Sequence, residues 1–305
     1  MSIVDTTVPI TAEACDRWIR RIAEVYPFCR TELIGTTAFQ RPIRSLAIGT
    51  GPRTVLYTAA HHANEWITSL VLLKFGEELA EAIAGGGQIF GQDARQLAQA
   101  ATIYLVPMMD PDGVDLVVGT IGPGDIQFDL AQRLARDYPA IPFPDGWKAN
   151  LLGVDLNLNY PAGWLTAREI KFSQGYTRPG PRDFVGRAPL SQIESQALSD
   201  FTERIDPRLV IAWHSQGQVI YWQYGGIEVP GARELAERFA AVSGYALEDT
   251  PYNSSFAGYK DWFIQSYRRP GFTVEVGTGE NPLPLGQFGE IYAASLPILL
   301  EGATG

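Results

Sequence analysis

The sequence predicts an α/β fold, a mixed sheet covered by helices, and two observations lead there. Short runs rich in β-branched and aromatic residues alternate with helical patterns along the chain, the order expected of strands and helices that share one core. Several of these runs are too apolar for a strand with one wet face, so the sheet is covered on both sides. With 305 residues, 46% hydrophobic and 19% charged, the chain can bury a large core. No internal repeat or low-complexity linker interrupts it, and residues 1–305 are expected to form a single domain with no accessory module.

A helical pattern over 11–25 opens the chain. "TVLYTA" (54–59) is the first apolar strand, followed by a helical pattern over 66–84. "TIYLVPM" (102–108) is the second strand. From about 120 to 190 the chain is dense in Gly, Pro, Asp and Trp with little periodicity, and irregular segments of that length in compact domains usually carry function. A helix over 190–205 leads into "LVIAWHS" (209–215) and "VIYW" (219–222); a helix over 231–243, the strand "FTVEVG" (272–277) and a helix over 285–301 complete the chain.

Charge and composition exclude several functions. Lys and Arg number 24 against 34 Asp and Glu, a net charge of -10, which leaves no broad basic surface for nucleic acid. No apolar run approaches the roughly 20 residues that span a bilayer, and the N-terminus lacks a basic segment followed by an apolar one. Neither a membrane nor nucleic acid is expected as a partner, and the expected location is the cytoplasm. The two cysteines, Cys15 and Cys29, are too few for a disulfide framework and read as buried free thiols.

Candidate chemistry begins where the first strand ends. "HHANE" (61–65) holds two of the three histidines of the chain, with a glutamate three residues after the second. In a turn, an i, i+3 spacing lets an imidazole and a carboxylate converge, and zinc accepts both as ligands. A catalytic zinc needs a third protein ligand and an open position. His214, at the end of the strand "LVIAWHS", supplies that third ligand. Spacing selects His62 over His61, because His62 is followed at i+3 by Glu65 and His61 by Asn64; His61 reads as a packing residue. Hydrolysis also needs a base, and Glu275 lies in an otherwise apolar strand. Strand alternation alone leaves open whether Glu275 faces solvent or the site.

These residues resemble the zinc carboxypeptidase family. The matching motifs are "HHANE", "GVDLNLNYP" (153–161), "WHSQG" (213–217), "YKDW" (259–262) and "FTVEVGTG" (272–279), in the family's order and over most of the chain. The resemblance implies an eight-stranded mixed sheet flanked by helices and one zinc ion per chain held by His62, Glu65 and His214. It further implies Glu275 as general base and then general acid, Asp155 as the carboxylate orienting a zinc-bound histidine, and Lys148 in place of an arginine that stabilises the oxyanion. Asn157 falls in the substrate-carboxylate loop. Tyr252 is the candidate for a mobile tyrosine that closes over substrate, with Tyr259 competing.

One departure from the family bears on substrate. The family's Asn-Arg pair, which grips a C-terminal carboxylate, here reads Asn157-Leu158, and a lost bidentate clamp is worth roughly 2 to 5 kcal/mol. Lys260 stands where the family has the floor of the side-chain pocket, and a cation there asks for an acidic group on the substrate. Both features resemble a branch that cleaves bacterial cell-wall peptides between γ-D-glutamate and a diamino acid, usually meso-diaminopimelate. The expected partner is therefore a muropeptide-derived peptide containing γ-D-Glu-diaminopimelate. Two alternatives are a carboxypeptidase preferring acidic C-terminal residues and a zinc-dependent deacylase of acidic amino acids.

Overall fold

The computed structural model of the chain describes residues 2–305. Helix α1 (Ala12–Val25) precedes strands β1 (Arg30–Thr36), β2 (Pro42–Ile48) and β3 (Arg53–Ala59), and helix α2 (Ile67–Gly85) follows. A two-stranded hairpin, β4 (Gln88–Ile89) and β5 (Gln92–Asp93), leads to α3 (Ala94–Ala100), β6 (Ala101–Val106), α4 (Pro111–Val117), α5 (Ile126–Ala135) and α6 (Trp164–Ser173). Then come α7 (Ile193–Ile205), β7 (Leu209–Ser215), β8 (Val219–Tyr221), α8 (Ala232–Ser243), β9 (Ala246–Glu248), α9 (Tyr259–Tyr267), β10 (Gly271–Val276) and α10 (Phe288–Thr304).

Eight strands form one mixed sheet in the order β1-β2-β6-β3-β7-β10-β8-β9, as the resemblance implies. The four central strands, β6, β3, β7 and β10, are mutually parallel, so their C-terminal ends meet at one edge. Alternation sorts their side chains. Val55, Tyr57, Ile211, Trp213, Phe272 and Val274 join the larger core with α1, α2, α8 and α10, while Leu56, Val210 and Ala212 join a second core with α7 and α9. His214 and Glu275 continue the second set and are paired in register. Because both faces are covered, alternation turns Glu275 towards the α7–α9 side of the sheet rather than into bulk water. Cys15 and Cys29 are free and buried. Among the described residues no helix is long and apolar enough to cross a membrane.

The segment from 120 to 190 is less irregular than its composition predicts, since it carries α5 and α6. Strands β1 and β2 were not expected: β1 is an edge strand whose residues are exposed or half-buried throughout, so no apolar pattern marks it. The region between the helix at 231–243 and the last strand also gains α9, a helix with a side chain buried at every position from Tyr259 to Ile264.

The irregular chain over 148–155 is fastened to α7. Asn150 Nδ2 lies 3.0 Å from Gln192 Oε1 and 3.3 Å from Glu194 Oε1. Burial pushes the Glu194 carboxyl up to about 7, against the pull of its backbone and Asn150 hydrogen bonds. The folded protein therefore holds a proton that the unfolded chain releases above its ordinary value of 4.5, and this group's contribution to stability falls as pH rises through that window. Glu194→Gln keeps an acceptor for Asn150 and abolishes the titration. Thermal denaturation should find the variant more stable than wild type at pH 7.5, by up to about 3 kcal/mol, and equal to it near pH 4.5; the same offset at both pH values would refute the assignment.

Candidate metal centre and catalytic cleft

The turn after β3 brings His62 and Glu65 together. Ala60 adopts a left-handed backbone conformation, φ 46°, and its N–H donates to Thr68 Oγ1 at 3.0 Å while that hydroxyl donates to the Glu65 carbonyl at 2.7 Å. Residues Ala63–Glu65 then form a 3₁₀ turn capped by His62, in which side chains three apart eclipse. His62 Nδ1 lies 2.8 Å from Glu65 Oε1. From the end of β7, His214 Nδ1 lies 2.8 Å from Glu65 Oε2 and 3.1 Å from His62 Nδ1. Donor atoms of all three residues lie within 4.8 Å of one another, the one such group of His, Cys, Asp or Glu among the described residues.

This donor set fits a divalent metal. Two imidazole nitrogens directed at each other and at one carboxylate, all buried, can share at most one proton along the nitrogen–nitrogen line, whereas a cation at their centre satisfies every lone pair. Two His and one Glu with a fourth position open is the ligand pattern of a catalytic zinc. His61 does not join the set. Its ring stacks on His214 at 5.5 Å and on Tyr259 at 5.7 Å, so it packs beneath the site, as spacing predicts.

Charges around the donors are organised. Asp155 Oδ1 faces His62 Nε2 at 3.0 Å, which fixes Nδ1 as the nitrogen turned to the centre. Burial works against ionisation of Asp155 and Glu65, but neighbouring cations outweigh it: His62 foremost holds both well below the carboxylate range, with Lys148 acting on both. Lys148 Nζ is 3.4 Å from Glu65 Oε1; burial opposes its charge, and Glu65, Asp155 and Glu275 together hold its pKa above the ordinary value. Glu275 is pushed up to about 8 by burial and then by the charge of Glu65.

A cavity opens beside these groups, lined among others by His62, Lys148, Asp155, Asn157, Lys260 and Glu275. It gathers every residue expected from the sequence except the ligands Glu65 and His214, which lie beneath it, and Tyr252. Tyr252 is 68% exposed and packs edge-on against Phe256, outside the lining, although its neighbours Pro251 and Ser254 do line the cavity. Tyr259 is fully buried, its hydroxyl 2.8 Å from Thr202 Oγ1, which removes it as a mobile group. Asn157 Oδ1 accepts from the Tyr259 N–H at 2.9 Å. Leu158, where the family carries an arginine, joins an apolar cluster with Trp164, Ala167, Val185 and Ala257.

Lys260 requires a correction. It reaches the cavity, but not as a bare cation: its Nζ lies 2.6 Å from Asp261 Oδ1 and donates to the Gln223 carbonyl at 2.8 Å. The floor is an ion pair. Sequence reasoning also missed Tyr221 and a second buried pair, Lys171 with Asp183 at 2.6 Å, all lining the same cavity. Lys171 sits in the last turn of α6, where a lysine ordinarily reads as a solvated helix end.

Residues 15–294 match the family profile described as zinc carboxypeptidase. Over 284 residues the chain is 41% identical to γ-D-glutamyl-L-diamino acid endopeptidase 1 of Lysinibacillus sphaericus, spanning 93% of this chain and 69% of that protein. It is 37% identical over 288 residues to the uncharacterized protein YqgT of Bacillus subtilis (strain 168), spanning 94% and 75%. Among solved structures, the carboxypeptidase A from Helicoverpa armigera superposes with a TM-score of 0.72 at 18% identity, over 100% of this chain and 75% of that one. The murein-tripeptide amidase MpaA from Escherichia coli O157 superposes with a TM-score of 0.57 at 20% identity, over 89% and 91%. At such identities the structural likeness concerns the fold.

If Asp155 orients His62 for metal binding, Asp155→Asn should weaken zinc affinity by about 10- to 100-fold. Competitive chelator titration measures this, and an unchanged affinity would exclude the role.

Proposed function

The chain belongs to the zinc carboxypeptidase family and is a zinc metallopeptidase; from that premise we propose that it hydrolyses the γ-D-glutamyl–diaminopimelate amide bond of bacterial cell-wall peptides. His62, Glu65 and His214 would hold the zinc. What the metal supplies there when bound is Lewis acidity, which draws charge from a carbonyl oxygen and makes a water molecule easier to deprotonate.

The chain's own residues supply the rest. Glu275, in register beside His214, takes a proton from the attacking water and delivers it to the leaving amine. Its raised pKa makes it a stronger base than an ordinary carboxylate. Lys148 places an ammonium on the growing negative charge of the carbonyl oxygen. Asp155 holds His62 through Nε2. Asn157, tied to the start of α9 by its Oδ1, leaves its amide N–H groups to bind substrate, and Tyr252 at the rim is the candidate to close over it.

The observation that carries the substrate assignment is the Lys260–Asp261 pair on the cavity floor. The far end of meso-diaminopimelate is itself a zwitterion, a carboxylate and an ammonium on one carbon. It offers one group to each member of the pair. The side chain of an ordinary C-terminal glutamate offers a carboxylate alone, which meets Asp261 as well as Lys260. The name of the Lysinibacillus relative supports the same reading.

Two measurements check the proposal. Incubated with L-Ala-γ-D-Glu-meso-diaminopimelate, the zinc-loaded protein should release free diaminopimelate, seen by mass spectrometry, and leave peptides ending in Glu intact; release of Glu with the first peptide untouched would overturn the assignment in favour of an acidic-specific carboxypeptidase. Glu275→Gln should retain zinc while losing about 10²- to 10⁴-fold in kcat. A fully active variant would remove Glu275 as the base.

A further inference from the structure

The cleft has a second half, and it carries a cation that no step above uses. Lys148, Tyr221 and Glu275 line the cavity already described and also a second one, bounded by Asn64, Asp145, Arg182, Ser215, Gln216 and Asn281. Because the two meet at the catalytic groups, a substrate cut there lies across both. On the wall-peptide reading, the diaminopimelate half would fill the first and the acyl half would enter the second.

A γ-linked glutamate brings a charge to a place where ordinary peptides have none. Its scissile carbonyl sits on the side chain, and the α-carbon, bearing a free carboxylate, follows two methylenes away. In an α-linked residue the carbonyl sits on the α-carbon itself, and the next group along the chain is a neutral amide. We propose that Arg182 forms an anion subsite for this free α-carboxylate on the upstream side of the metal centre, an inference that rests on the wall-peptide reading above.

The placement of Arg182 is fixed by its neighbours. The N–H groups of Lys148 and Ala149 donate to the Pro181 carbonyl at 2.7 and 2.8 Å, and the Asp155 N–H donates to the Phe184 carbonyl at 2.9 Å. These bonds stitch residues 181–184 to the segment carrying Lys148 and Asp155. Arg182 Nε donates to Asp183 Oδ2 at 2.6 Å, which orients the guanidinium. Its Nη1 and Nη2 make no hydrogen bond among the described residues, and the side chain is 41% exposed. Asp183 does not cancel the charge, because its other oxygen is taken by Lys171 at 2.6 Å. Two terminal nitrogens in one plane, facing a cleft, form the fork that pairs with a carboxylate. Asp145 and Glu280 line the same cleft, which leaves Arg182 and Lys148 as the cations there that an anion can approach.

The test compares two substrates that differ in one group: L-Ala-γ-D-Glu-meso-diaminopimelate and the same peptide with the α-carboxylate converted to a carboxamide. Wild type should show a kcat/KM at least about tenfold higher for the carboxylate. Arg182→Gln should erase that preference, losing about tenfold or more on the carboxylate substrate while the carboxamide substrate changes less than about threefold. Equal kcat/KM for both substrates in the wild type overturns the subsite without reference to any variant. So does an equal loss on both in Arg182→Gln, which would mark Arg182 as support for Asp183. Cleavage of neither peptide by the wild type overturns the wall-peptide reading and the subsite with it.

Discussion

Glu65 is the group on which the rest of the site depends. Its carboxylate is almost entirely removed from water, and an unpaired charge in that position costs several kcal/mol. Four groups compensate it: His62 and His214 at 2.8 Å, the Ser215 N–H at 3.3 Å and Lys148 at 3.4 Å. They come from the turn after β3, the end of β7 and the irregular chain before Asp155. The buried charge therefore ties three distant segments to one point and sets where a metal must sit. Without the metal these groups satisfy one another imperfectly, with two imidazole nitrogens left facing; a dication resolves that conflict, which is why the donor set reads as a metal site rather than a structural ion pair.

The sheet makes this convergence possible. Four parallel strands end at one edge, and functional residues of open α/β folds gather outside such carboxyl ends. Register does the fine placement, since His214 and Glu275 are partners across β7 and β10. The loops then bring what the strands cannot. Segments 148–158 and 181–184 are bonded to each other through backbone groups, so Lys148, Asp155 and Arg182 are held on one bonded unit.

Much of this was legible in the residue order, and the failures share a physical cause. The central strands announce themselves because burial on both faces demands continuous apolar runs, and the ligand set announces itself because so few histidines are present. Strand β1 escaped because an edge strand has no such demand. Helices α5 and α6 escaped because each is only ten residues long and set in Gly- and Pro-rich chain. Asp261 and Asp183 escaped for a different reason: an ion pair formed in space leaves no periodic trace. Lys260 could be placed from its motif, but its neutralisation by the next residue could not, because whether adjacent side chains turn towards one another is settled by the packing of α9.

Those paired lysines bear on how an acidic protein would handle the anionic peptide proposed as its substrate. A net charge of -10 gives no long-range attraction for a peptide carrying several carboxylates, so selectivity must arise at contact rather than by steering. Lys260–Asp261 is close to neutral as a pair and presents two opposite charges a few ångströms apart, whereas Asp183 is shared between Lys171 and Arg182. A simple anion gains from one member and loses to the other. A zwitterion in matching orientation gains from both. The same logic separates Arg182, whose terminal nitrogens have no acceptor of their own among the described residues, as the proposed place for an isolated carboxylate. On the proposed reading, the paired floor downstream would take the distal zwitterion of diaminopimelate and the free terminal nitrogens of Arg182 upstream the α-carboxylate of the γ-linked glutamate, through fixed local contacts that the overall charge of the protein does not determine.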